Sequence, residues 1–186
     1  MKKLCRILLG SEAAEVAELA IVLPIVISLI FAIFSFGRAY NIYSTITRAA
    51  QDGARVAVTP VCATCAPVTC TGGGGSSQYP CDQTVVQAVN DALVASHLDV
   101  TQVIAPLTTP SPPACPAPAP ASNCAAASGS NIYICRNVAL NTNTNTAMES
   151  CGTIVTFAYH YQFLPIPFFT QQSVNIPALA QVQVEY

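Results

Sequence analysis

Charge is scarce in this chain, and basic charge is scarcer still. Charged residues make up 9% of the sequence, against about a quarter in an ordinary globular protein. Lys2, Lys3 and Arg6 crowd the first six residues, which leaves Arg38, Arg48, Arg55 and Arg136 for everything after them. Residues 39–186 set three arginines against Asp52, Asp82, Asp91, Asp99, Glu149 and Glu185. A mildly acidic body without a basic patch argues against nucleic-acid binding, which needs Lys and Arg to neutralise phosphates. A glycine-rich phosphate loop and a metal triad are also missing. The two histidines, His97 and His160, have no acid-and-nucleophile pattern beside them. These absences predict a protein that is not an enzyme, with no metal, no cofactor and no small-molecule substrate.

What the chain does have is one long apolar run. Leu19–Phe36 is eighteen residues without a charge, and Pro24, Ser28 and Ser35 are its only departures from apolar character. That length is near the lower limit for crossing a hydrocarbon core of about 30 Å. Pro24 predicts a kink, since neighbouring groups in a membrane helix can re-satisfy the carbonyl it frees. Gly37 and Arg38 follow, and Arg38 can snorkel. The positive-inside rule places the N-terminus in the cytoplasm and the rest outside, as a single pass through the inner membrane. A secretory signal sequence fits poorly, because its apolar region should follow the basic residues closely. Here twelve residues intervene, and they carry Glu12, Glu15 and Glu18. Cys5 precedes the run and does not end it, which is the wrong order for a lipoprotein. A buried soluble helix is weaker still.

The helical pattern continues beyond the run. Gly37–Val58 contains no proline, and Arg48 and Asp52 stand four apart as a favourable pair. Gln51 and Arg55 share that surface. Ala49, Gly53 and Ala57 form a small-residue ridge suited to close helix approach, whether to another helix or to the chain's own domain. From Ala14 to Val58 a continuous helix would measure roughly 67 Å, and Pro60 ends it. The sequence thus divides into a cytoplasmic leader at 1–13, a long helix at 14–58 with its membrane segment at 19–36, and a domain at 59–186.

Eight cysteines lie beyond the apolar run: Cys62, Cys65, Cys70, Cys81, Cys115, Cys124, Cys135 and Cys151. An even number on the exported side reads as disulfides in an oxidising compartment, with 105 pairings open. Cys62-x-x-Cys65 invites a metal or redox reading. The spacing to Cys70 and Cys81 does not match paired zinc knuckles, and proline and glycine surround it where a redox motif needs a helix start.

Asp82–Leu98 has Val85, Val86, Val89, Leu93 and Val94 at helical spacing, with Asp82 placed to cap the helix and His97 near its end as a solvent-side or capping residue. Val100–Leu107 reads as a strand. Residues 110–131 read as one long Pro/Ala/Ser loop tethered by Cys115 and Cys124. Asn131–Ala139 is the next strand, and Asn141–Thr146 a polar turn. Ile154–Phe163 alternates, so Val155, Phe157, Tyr159, Tyr161 and Phe163 should meet the core while Ile154, Thr156, Ala158, His160 and Gln162 face out. The prolines of 165–169 break the strand, and Ser173–Glu185 closes the sheet. The fold class is α+β: a long N-terminal membrane-spanning helix, then a small disulfide-stapled domain with an antiparallel sheet and one short helix.

Four features of the helix carry a resemblance: Glu18 six residues before Pro24, the Ile21-Val22-Leu23-Pro24 run, the Phe36-Gly37-Arg38 triplet, and Ala49-Ala50-x-x-Gly53-Ala54-Arg55. Together they closely resemble the N-terminal segment of TadE-like proteins, the minor pilins or pseudopilins of the tight-adherence (Flp) pilus system. The resemblance is firm over about 13–58 and extends weakly to the last strands, from Thr153. It implies a pilin-like fold, a place in pilus assembly and surface adhesion, and incorporation into, or initiation of, a surface pilus. It implies partners of two kinds: other pilins and pilus-assembly membrane proteins along the N-terminal helix, and a prepilin peptidase that cuts on the cytoplasmic side. The residue at +5 after such a cut is typically glutamate, which can neutralise a neighbouring subunit's terminal ammonium in low dielectric and set helix-bundle register. Two frames fit. Cleavage between Gly10 and Ser11 makes Glu15 that residue, and cleavage between Ala13 and Ala14 makes it Glu18. The competing expectation is an uncleaved single-pass membrane anchor whose extracytoplasmic domain binds a partner through loops 60–81 and 108–130.

Overall fold

The computed structural model describes residues 11–60, 70, 79–115, 123–140, 150–163 and 173–183, with side chains from residue 16 onward except that of residue 123. The chain divides into two units between Tyr40 and Asn41. Helix α1, Ser11–Val58, contains residues of both, and Pro24 sits inside it without ending it. In the first unit no described side chain is buried.

In the second unit α1 is amphipathic. Ile42, Ile46, Ala49, Ala50, Gly53, Ala54 and Ala57 are buried, and their spacing marks one helix face. Arg48, Gln51, Asp52 and Arg55 are exposed. Arg48 and Asp52 do not pair: among the described residues the one ion pair lies elsewhere. Two residues after the helix comes Pro60, and Thr59 turns its hydroxyl back to the Arg55 carbonyl at 2.7 Å.

Helix α2, Asp82–Ala95, buries Val85, Val89 and Leu93. Val86 is half-buried and Val94 exposed, so the core face is narrower than the five-residue stripe expected. Asp82 is not the cap: Cys81 holds that position in extended backbone, with no side-chain cap bond. The helix stops before Leu98 because His97 adopts φ 58°. The Leu98 N–H donates to the Leu93 carbonyl and the His97 N–H to that of Val94, each at 2.9 Å. This is a Schellman closure with a histidine at the glycine position.

The strand expected over Val100–Leu107 is mostly absent. Asp99 accepts from the Thr101 N–H at 2.9 Å and from its hydroxyl at 2.8 Å, which folds Val100–Gln102 into a 3₁₀ turn. Those bonds also hold the Asp99 carboxyl below the usual range. Strand β1 is only Val103–Ile104. A second correction concerns the loop at 110–131. Asn123–Ala126 forms strand β2, hairpin-paired with β3, Tyr133–Ala139, with Cys124 opposite Cys135. Gly129, at φ 75°, serves the connecting turn.

The sheet is antiparallel and centred on β4, Cys151–Gln162. One edge of β4 pairs first with β3 and then with β1; the other pairs along its whole length with β5, Ser173–Gln183. Val155, Phe157, Tyr159 and Tyr161 are buried as expected. Ile154, Thr156 and Ala158 are buried too, although the alternation placed them outward. Strand β4 is central, and at Ile154 its second face is covered by Cys135 and Val138, with Cys124 and Leu140 packed alongside. His160 does turn away from that core, and its Nδ1 lies 2.8 Å from Asn175 Oδ1 on β5.

Strand β3 carries a bulge. Cys135 pairs with Ile154 and Val138 with Gly152, so Arg136 and Asn137 share the place opposite Thr153. Asn137 supplies the left-handed backbone, φ 55°. The extra residue keeps Val138 beside Cys135 while Arg136 points to the opposite face, toward the helices. There its guanidinium makes four hydrogen bonds. Nε and Nη2 donate to Asp82 Oδ1 at 3.1 and 2.8 Å, Nη1 to the Ala57 carbonyl at 2.9 Å, and Nη2 to the Pro80 carbonyl at 2.9 Å.

Two stability changes are expected. Replacing Arg136 with Ala leaves a buried carboxylate and two carbonyls without their donor, and should cost about 3–5 kcal/mol in denaturant unfolding. His97→Gly removes the left-handed strain at the end of α2 and should raise stability by about 1 kcal/mol in the same assay.

Candidate functional site

The candidate site is helix α1 itself. Its first unit contains a window of 18 residues apolar enough to cross a membrane by length and composition, none of it buried. Leu19, Ile21, Ile30, Ile33, Phe34 and Phe36 each expose more than 60% of their surface. Side chains of this kind usually sit in a core. A continuous apolar surface of this extent marks a membrane or partner contact. Ser28, one of the few polar groups within it, donates to the Ile25 carbonyl at 2.8 Å and so satisfies itself along the helix.

The expected processing and register residues fall at its start. Gly10 lies outside the described residues. Ser11, Ala13, Ala14 and Glu15 belong to the α1 backbone, with side chains outside the described set. Glu18 is exposed. Further along, Phe36 is 73% exposed, Arg38 is exposed, and nothing lies within 4 Å of where a Gly37 side chain would stand.

The second unit treats the motif differently. A Cβ on Gly53 would collide with Val89 Cγ2 and stand 3.6 Å from Val85 Cγ1. Gly53 therefore lets α1 and α2 approach closely, and the ridge Ala49-Gly53-Ala57 is buried in the chain's own domain. Arg55, two residues on, is exposed.

A family model described as TadE-like protein matches residues 13–55. This is a TadE-like segment. The match takes in Glu18, Pro24, Phe36-Gly37-Arg38, Gly53 and Arg55, and stops short of the C-terminal strands that the sequence also weakly suggested. No curated protein and no solved structure matches the chain. Burial cuts the TadE-like segment in two. Residues 16–40 are unburied, whereas the part from Ile42 onward seats the helix in its domain.

Three disulfides lie among the described residues: Cys70–Cys81, Cys115–Cys151 and Cys124–Cys135. Cys62 and Cys65 fall outside them, as do the glycines 72–75, the polar turn 141–146 and the prolines 165 and 167. Sequence reading missed the Arg136–Asp82 pair. The signal was there: Arg136 is the only basic residue after Arg55, and a lone arginine amid strand-forming residues asks for a buried partner.

The split within the motif predicts unequal mutants. Gly53→Val should destabilise the domain by about 1–3 kcal/mol through overpacking against Val89. Arg55→Ala should change stability by less than about 0.5 kcal/mol, as exposed positions do. Thermal unfolding of both variants checks the difference.

Proposed function

We propose that this chain is a TadE-like minor pilin, or pseudopilin, that takes part in assembling a Flp-type tight-adherence pilus and so in surface adhesion. The observation that carries the reading is the unburied apolar stretch of α1 within the matched segment. An aqueous compartment would leave this eighteen-residue stretch in water, at about 25 cal/mol for each Å² of apolar surface. A bilayer supplies the missing environment before assembly, and the helices of neighbouring pilins supply it afterwards.

In this reading the helix crosses the inner membrane once, with the N-terminus cytoplasmic and the cysteine-stapled domain outside. Lys2, Lys3 and Arg6 support that orientation by the positive-inside rule. A prepilin peptidase removes the leader at Gly10/Ser11 or Ala13/Ala14. The glutamate at +5, Glu15 or Glu18, then pairs with a neighbour's new terminal ammonium and sets the stagger between helices. The protein's part is structural, with no catalytic step and no bound cofactor.

The glutamates test this directly. Glu15→Ala and Glu18→Ala are compared for surface pili, with membrane levels of the protein measured alongside. One of the two should abolish or sharply reduce piliation while the membrane level stays unchanged. Normal piliation in both single variants and in the double variant would contradict the register role.

A further inference from the structure

Disulfides converge on the Arg136 clamp. Asp82 directly follows Cys81, which is bonded to Cys70. Arg136 directly follows Cys135, which is bonded to Cys124. The Asn137 carbonyl accepts from the N–H of Cys115 at 3.1 Å, and Cys115 is bonded to Cys151. The three bridges differ in two respects. Cys135 and Cys115 are buried, so two of the bridges have a sulfur shielded from attack, whereas Cys70 and Cys81 are both half-exposed. Cys135 and Cys151 also sit in paired strands. Cys81 instead lies outside the strands, as the residue directly before α2. Its two neighbours, Pro80 and Asp82, accept three of the four hydrogen bonds that Arg136 makes, and the fourth goes to Ala57 near the end of α1.

We propose that Cys70–Cys81 is a redox latch on this clamp, acted on by a dithiol reductant and a disulfide donor. A thiolate of the dithiol attacks one sulfur of the bridge and forms a mixed disulfide, and the dithiol's second thiolate then displaces the protein sulfur. Two electrons and two protons pass to the protein, leaving Cys70 and Cys81 as thiols and the reagent as a disulfide. The reverse exchange with a disulfide donor closes the latch. With the bridge open, Pro80 and Asp82 lose the tether that holds them against Arg136. The guanidinium then no longer ties Ala57 to the sheet, and the contact of Gly53 with Val85 and Val89 is released. Seating of the α1 base is thereby coupled to the oxidation state of its surroundings. Strands β4 and β5 do not depend on this bridge.

Hydrogen exchange on the full chain in detergent micelles, titrated with dithiothreitol, tests the latch. Thiol alkylation and mass mapping report which bridge has opened. Cys70 and Cys81 should become alkylated first. At that point the amides of Thr84 and Val85, which donate to the Cys81 carbonyl, and that of Thr59 should exchange about tenfold faster or more, while those of 154–161 keep their protection. The double variant Cys70→Ser with Cys81→Ser should show the same pattern without reductant. If that variant does not accumulate, the titration of the unaltered protein decides. Loss of protection at 154–161 together with Thr84 and Val85 would overturn the latch, because the bridge would then be a global staple. Unchanged exchange at Thr84 and Val85 after Cys70 and Cys81 are alkylated would overturn it as well.

Discussion

One buried guanidinium joins the parts of the second unit. Arg136 reaches from β3 to the last turn of α1, to the approach to α2 and to the first residue of α2. Three stretches far apart in the sequence, at 57, 80–82 and 136, thus meet at one side chain. A buried ion pair is weak evidence of net stability, since desolvation offsets most of its attraction. Its effect is better seen as selection. An alternative seating of either helix would leave a charge buried without its partner, at several kcal/mol. Strand alternation after Cys135 aims the arginine toward the helices, and the bulge with the left-handed Asn137 returns Val138 to the Cys135 face.

Around that clamp the rest of the unit is conventional in its physics. The small residues of α1 let it lie close to α2, and Gly53 sits where any side chain would displace Val89. Strand β4 is buried on both faces, as the centre of a sheet between a helix layer and a disulfide-bonded cluster should be. The TadE-like segment thus serves two purposes in one helix. Its later turns are buried in the domain, and its earlier turns present apolar side chains that stay unburied among the described residues. That division explains how a motif of forty-odd residues can combine exposed aromatics such as Phe36 with a buried glycine such as Gly53.

Much of this was legible in the sequence. The apolar run, the Phe36-Gly37-Arg38 and Gly53-Ala54-Arg55 patterns, the short helix near 82 and the alternating strand near 154 all follow from periodicity and composition. What the sequence hid was tertiary. Asp82 looks like a cap because caps are the common fate of an aspartate before an apolar stripe, yet a partner fifty-four residues away claimed it. Val100–Gln102 has the β-branched content of a strand, but Asp99 offers a local turn that competes with the ladder. Asn123–Ala126 lies in loop-like composition and pairs because Cys124 stands opposite Cys135. At Asp82 and at Asn123–Ala126 the local preference lost to a contact that only the folded chain provides, whereas at Val100–Gln102 one local preference lost to another.

The central claim is that α1 belongs to a pilin precursor, with its apolar half made for the membrane and then for other pilins. It is tested most directly by the N-terminal sequence and intact mass of the membrane-extracted protein, from cells with and without a prepilin peptidase. The account predicts a new terminus at Ser11 or Ala14 that appears only when the peptidase is present. Retention of Met1 in both would contradict it and would mark the chain as an uncleaved, membrane-anchored binding module.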